Sequence, residues 1–239
     1  MKSTICLSTG MLYKLHKDRN EILPELLKFK PDGIEICFMR YEHIFSFHPT
    51  NSELEKLKKL KFVSIHAPSL YVKWGENPES HQALEEIEKI YHRVGAKNVV
   101  FHDKRDDDLS VVKKYNFTAS IENDDSRYYL NTPEKMEKAL RKYPEMKFTL
   151  DFAHVLSINS DLIQDFINNF KDKIIEIHMS WLGRKIKDHK FIHKHNSKKI
   201  RELLKLIKQL NEPIVFESVA QNNNEKSLIK DEIDYINRI

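Results

Sequence analysis

Short apolar runs recur along the chain, and stretches with helical spacing separate them. Eight runs read as β-strands: 3–8, 33–38, 62–66, 98–102, 117–122, a run ending at Asp151, 173–178 and 213–217. The intervening spacing predicts helices over 20–30, 52–60, 78–94 and 108–115, one opened by Thr132, Pro133 and Glu134, and others over 159–170, 197–210 and 225–239. In the first helix Ile22, Leu23, Leu26, Leu27 and Phe29 share a side. Ser52 is the expected N-cap of the second, and Gly95 the expected stop of the third.

Strands that alternate with helices imply a parallel sheet, and eight such units without an obvious linker imply closure. The expected fold is a single α/β domain over 1–239, a (β/α)₈ TIM barrel with its active site at the C-terminal ends of the strands. An open doubly wound sheet is the alternative, but no Gly-rich phosphate loop follows the first strand.

Six of these runs lead straight into a potential metal ligand: His66, His102, Glu122, Asp151, His178 and Glu217. With 12 His and 36 acidic residues in a chain of 239, such a residue fills only about a fifth of positions. Neutral imidazoles mixed with carboxylates suit zinc, manganese or iron(II) better than calcium or magnesium, which favour all-oxygen shells. Glu122, Asp151, His178 and Glu217 end four consecutive strands and could grip one ion. His66 and His102 could hold a second, with Glu122 as the bridge. His154 and His189 could share a third ion or contact an anionic substrate. Adjacent ions of this kind clamp phosphoryl groups.

Composition narrows the class. Lys+Arg 40 against Asp+Glu 36 leaves a net charge of only +4, which permits an anionic partner without demanding one. The 32% of charged residues and five Gly describe a helix-rich globular chain. Cys6 and Cys37 fit a reducing, cytoplasmic setting, the first residues lack the apolar core of a signal peptide, and no run reaches the length of a membrane span. The loop after the seventh strand, about 18 residues, is long for an α/β connection. It carries Arg184, Lys185, Lys187, Lys190 and Lys194 with three His, and reads either as a solvated basic loop or as a phosphate-binding flap. His193 and His195 could also scavenge a surface metal. Glu35, inside the second strand, is either a substrate contact at the barrel mouth or a buried acid paired with a base.

At these residues the sequence resembles the xylose isomerase-like TIM-barrel superfamily, which holds sugar isomerases and epimerases together with the endonuclease IV family. The quartet Glu122, Asp151, His178 and Glu217 is similar to the metal site of both branches. His66 and His102 resemble the endonuclease IV ligands for a further zinc. Glu122-Asn123 resembles its bridging glutamate, and Asp151 with His154 its Asp-x-x-His element. His189 resembles the histidine of its Asp-x-His pair, whose aspartate would fall at Lys187, with Asp188 one place off. Gly33-Ile34-Glu35 is more similar to the sugar-isomerase branch.

The resemblance implies a metal-dependent enzyme, with zinc as the first expectation and manganese the second. One expected activity is phosphodiester hydrolysis of endonuclease IV type on abasic DNA or a related phosphorylated substrate, with Glu122 and Glu217 catalytic. The alternative is a sugar or sugar-phosphate isomerase or epimerase, with Glu122 and Glu217 moving protons and His154 and Lys185 binding the sugar or its phosphate. Arg184 and Glu35 are further expected substrate contacts.

Overall fold

A computed structural model describes residues 3–182 and 189–239. Eight parallel strands close into a barrel in sequence order: β1 (Ile5–Ser8), β2 (Gly33–Cys37), β3 (Phe62–His66), β4 (Asn98–Phe101), β5 (Ala119–Glu122), β6 (Lys147–Asp151), β7 (Ile174–Met179) and β8 (Ile214–Phe216). The helices are α1 (Arg19–Leu27), α2 (Tyr41–Phe45), α3 (Asn51–Lys58), α4 (Pro78–Val94), α5 (Pro133–Lys142), α6 (Phe152–Ile158), α7 (Leu162–Phe170), α8 (Lys198–Gln209) and α9 (Leu228–Arg238). Most strand residues are buried, because barrel strands pack against helices outside and one another inside; this is why they read as unbroken apolar runs. None of the helices among the described residues is long and apolar enough to cross a membrane, and both cysteines are free.

The elements depart from expectation where local chemistry overrides the pattern. Thr50, not Ser52, caps α3, through a reciprocal box with Glu53. The stretch after β4 winds as a 3₁₀ turn, Leu109–Lys114, in which β-branched Val111 and Val112 crowd a regular α-helix. The last helix is preceded by a separate 3₁₀ turn, Asn223–Ser227. Helices α2 and α6 were not expected. The first is five residues long, and the second is buried on nearly every side, so neither shows amphipathic spacing. Gly33 has a steric reason to be glycine: a Cβ there would lie 2.3 Å from the Phe62 carbonyl oxygen of β3. Gly95 closes α4 at φ 72°, in the left-handed region.

The barrel interior is unusually polar below the mouth. Ser64, Asn98, Ser120, Thr149, Glu35 and Glu176 are all fully buried. Asn98 Nδ2 donates to Ser120 Oγ at 2.7 Å, and Ser120 Oγ bonds Thr149 Oγ1 at 2.6 Å, which ties three strands together beneath the site.

Candidate metal centre

Strand register puts the ligand-type residues at one end of the barrel. His66 pairs with Cys37 across β2 and β3, and Asp151 pairs with His178 across β6 and β7. His102 lies one residue beyond β4 and Glu217 one beyond β8. Asn123 locks β5 to β6: its Nδ2 donates to the Asp151 carbonyl at 3.0 Å, and its Oδ1 accepts from Asp151 N at 2.8 Å.

Glu122 is the hub. Its Oε2 lies 3.2 Å from His66 Nε2 and 3.2 Å from His102 Nε2. Its Oε1 lies 3.4 Å from His178 Nδ1 and 3.5 Å from His154 Nδ1. Around the second oxygen, His178 Nδ1 is also 3.4 Å from Glu217 Oε1, and Asp151 completes the group. Two clusters therefore share one carboxylate: His66, His102 and Glu122, then Glu122, Asp151, His178 and Glu217, with ligand atoms within 4.8 Å in each.

Outer partners aim the imidazoles. His66 Nδ1 donates to the Ala67 carbonyl at 2.9 Å, which leaves Nε2 as the lone pair facing Glu122. His102 Nδ1 lies 3.3 Å from Asp124 Oδ1 and leaves Nε2 facing inward. His178 reverses the nitrogens. Its Nε2 faces Glu35 Oε2 at 3.0 Å and Glu176 Oε1 at 3.2 Å, and its Nδ1 points at the quartet. His154 Nδ1 donates to the Asn123 carbonyl at 2.8 Å, so only Nε2 is open to a ligand. His189 sits across from it, ring centroids 5.5 Å apart, with Nδ1 at 2.7 Å from Ser180 Oγ.

The charges without a metal show how much cation this site calls for. Burial opposes protonation of His66, but the Glu122 carboxylate outweighs it and lifts the imidazole to about 9. Asp151 and Glu122 likewise overcome burial at His154 and raise it to about 9. Burial, reinforced by neighbouring carboxylates against the pull of His178, lifts Glu217 to about 8. His189 goes the other way: burial and the charge on His154 push it down to about 3. Protons on His66 and His154 thus offset part of the carboxylate charge.

The donor set fits divalent metal. Asp151 Oδ2 and His178 Nδ1 are buried without any hydrogen-bond partner, and both belong to the quartet. Asp151 Oδ1 is already used, accepting from His154 N at 2.8 Å as the cap of α6. A cation between these atoms satisfies them together.

The remaining expected contacts fall differently. Glu35 is fully buried, its Oε2 3.0 Å from His178 Nε2, and does not line the open cavity; of its two expected readings the geometry is that of a buried acid paired with a base. Arg184, Lys185, Lys187 and Asp188 lie outside the described residues. His193 is held by buried Glu232, and His195 stacks on Trp181 at 4.4 Å. Sequence reasoning missed Asp124 and Glu176, and named Asn123 only as the neighbour of Glu122, not as the clamp between β5 and β6. Only Glu176 carried a signal, since its spacing of two from His178 puts both on the inner face of β7. A cavity of about 670 Å³ opens over the site, lined by His66, His102, Glu122, His154, His189 and Glu217 among others.

No protein-family model and no curated protein sequence matches the chain. Solved structures do match. A D-tagatose 3-epimerase-like protein is 15% identical, with a TM-score of 0.71 over 100% of this chain and 99% of its own. Endonuclease IV from Thermus thermophilus is 11% identical, with a TM-score of 0.68 over 98% of each chain. A xylose isomerase domain-containing protein from Salmonella typhimurium is 15% identical, with a TM-score of 0.66 over 100% of this chain and 96% of its own. The shared feature is the fold, a closed (β/α)₈ barrel on which different reactions are built.

Proposed function

We propose that this chain is a multi-metal phosphodiester hydrolase of endonuclease IV type, acting on abasic DNA or a related phosphorylated substrate. The observation that carries this reading is the division of Glu122, whose Oε2 faces His66 and His102 while its Oε1 faces His178. A site for one ion has no need of His66 and His102 aimed at the far side of the shared carboxylate.

Divalent cations, zinc first and manganese second, supply Lewis acidity and water activation for phosphodiester hydrolysis. His66, His102 and Glu122 would hold one of them, and Glu122, Asp151, His178 and Glu217 another. His154 and His189 offer their remaining nitrogens to a further ion or to the substrate phosphate. Glu217 lines the cavity, so its carboxylate can face both the ion and the substrate. Arg184 and Lys185 remain proposed phosphate contacts from the loop after β7.

The rim supports a nucleic-acid substrate. Leu70 is 39% and Tyr71 84% exposed beside the mouth, and the Arg40 guanidinium lies 5.4 Å from the Tyr71 ring. An apolar and aromatic pair backed by a cation suits insertion against bases with contact to a phosphate. The free cysteines accord with a cytoplasmic setting.

A sugar or sugar-phosphate isomerase or epimerase is the second reading, favoured by the placement of Glu122 Oε1 and Glu217 Oε1 each 3.4 Å from His178 Nδ1. Two carboxylates flanking one ligand could serve as paired proton carriers. Strand cleavage separates the two. Purified protein with added zinc or manganese nicks a duplex with one abasic site; an intact duplex, where a known abasic endonuclease cuts, sinks the hydrolase reading. Solvent-proton exchange into a panel of ketoses would then support the isomerase.

A further inference from the structure

The mouth of the barrel carries residues that metal binding does not use. Lys104 and Arg105 follow β4, and Arg127, Tyr128 and Tyr129 follow β5; all five line the cavity. Tyr128 is 57% and Tyr129 49% exposed, and with Leu70 and Tyr71 they make up the exposed large hydrophobics among the described residues. All four lie on the loops after β3 and β5, so the exposed apolar surface gathers at the site.

The β5 loop is built to present its rings. Asp124 N donates to the Leu130 carbonyl and Leu130 N to Asp124 Oδ2, each at 2.9 Å, which closes the loop at its base. Tyr128 N donates to the Asp125 carbonyl at 3.1 Å within it. The Arg127 guanidinium is tied to buried Asp125 through Nε at 3.0 and 3.1 Å and lies 5.4 Å from the Tyr128 ring. Lys135 Nζ lies 5.2 Å from the Tyr129 ring. Three of the acids nearby are engaged elsewhere. Asp107 turns inward to Trp74 N and Lys104 N, Asp108 caps the following 3₁₀ turn, and Asp124 serves His102.

We infer that Tyr128 and Tyr129 form a stacking wall for an unpaired nucleobase beside the metal centre, with Lys104 and Arg105 against the adjoining phosphates. Exposed rings interleaved with cations suit a single nucleic-acid strand, whose bases stack on the rings while its phosphates meet the cations. This inference rests on the phosphodiesterase reading and names the substrate feature recognised, an unpaired base.

The probe is a fluorescein-labelled duplex with a tetrahydrofuran abasic analogue opposite 2-aminopurine, protected from cleavage by phosphorothioate linkages. The wild type and a Tyr128→Phe/Tyr129→Phe variant bind it alike and quench the bound 2-aminopurine. Tyr128→Ala/Tyr129→Ala binds on the order of tenfold more weakly and restores the emission. Unchanged affinity and quenching in the alanine variant overturn the wall, and nicking of an ordinary abasic duplex by that same variant leaves the hydrolase reading standing. Equal loss in the phenylalanine and alanine variants also overturns stacking, because phenylalanine keeps the ring. A wild type without affinity for the probe overturns the wall, while its nicking of an ordinary abasic duplex decides the hydrolase reading separately.

Discussion

Glu35 Oε2 lies 3.0 Å from His178 Nε2, and neither side chain is exposed to solvent. The pair sits below the quartet, with Glu176 Oε1 3.2 Å from the same nitrogen. Burial keeps Glu176 protonated toward higher pH, while His178 holds Glu35 ionised against its own burial. One acid carries the charge that fixes which way the imidazole points.

Removing that acid therefore weakens metal binding without touching a ligand. Glu35→Ala lowers the affinity of the quartet for zinc about 10- to 100-fold, and Glu35→Gln, which keeps an acceptor oxygen, loses less. Competition against a colorimetric chelator measures both. Equal affinity in wild type and Glu35→Ala would show that His178 is aligned without it.

His66 and His102 serve one cluster only. The His66→Ala/His102→Ala variant retains the quartet and carries one ion fewer per chain, read by mass-spectrometric metal analysis of protein purified without chelator. An unchanged ion count removes the argument for the second cluster.

The metal-free chain loses stability as pH rises from about 6.5 to 9. His66 and His154 are lifted from their ordinary 6.5 to about 9, and Glu217 from 4.5 to about 8, so the folded chain holds more protons than the unfolded one across that window. Their contribution is complete below the unfolded values and disappears as pH passes the folded ones. Urea midpoints in chelator fall between pH 6.5 and 9; excess zinc, which replaces the protons, removes the fall. A midpoint that climbs with pH in chelator contradicts this assignment of charge.

Glu232 on α9 is fully buried and accepts from Ile192 N at 2.8 Å, His193 N at 3.1 Å and Ser218 Oγ at 2.7 Å, with His193 Nδ1 as a fourth partner. It joins the segment after His189 to the residue after Glu217. Glu232→Ala strands buried donors and destabilises the fold by roughly 2–4 kcal/mol, a drop that thermal unfolding detects. A change within 0.5 kcal/mol, about the range of an ordinary surface substitution, would mean that water or another acceptor replaces the carboxylate.

The barrel was legible because its strands are buried on both faces and each apolar run stops at the functional end, as at His66, Asp151 and His178. The chain showed that Glu35 belongs to β2, but its depth depends on register: it pairs with Ser64, two residues before His66, and so lies beneath the mouth. Asp124 was illegible for a related reason. Its service to His102 spans two strands, and no spacing along the chain encodes that meeting. The cap of α3 was misread although the signature Thr50-x-x-Glu53 was present, because Ser52 has the same chemistry two residues later. Helix α6 lacks the polar stripe on which periodicity depends, since Phe152, Ala153, His154 and Val155 are all buried.

Asp151 divides its oxygens between secondary structure and chemistry: Oδ1 caps α6 and Oδ2 is left for the quartet. Loss of this residue would fray the helix that carries His154 along with the ion. His66 and His102, in contrast, cap no helix, and their removal would leave the start of α6 intact. The two clusters are thus unequally tied to the fold: one shares a residue with the start of a helix, whereas the other rests on strand ends alone.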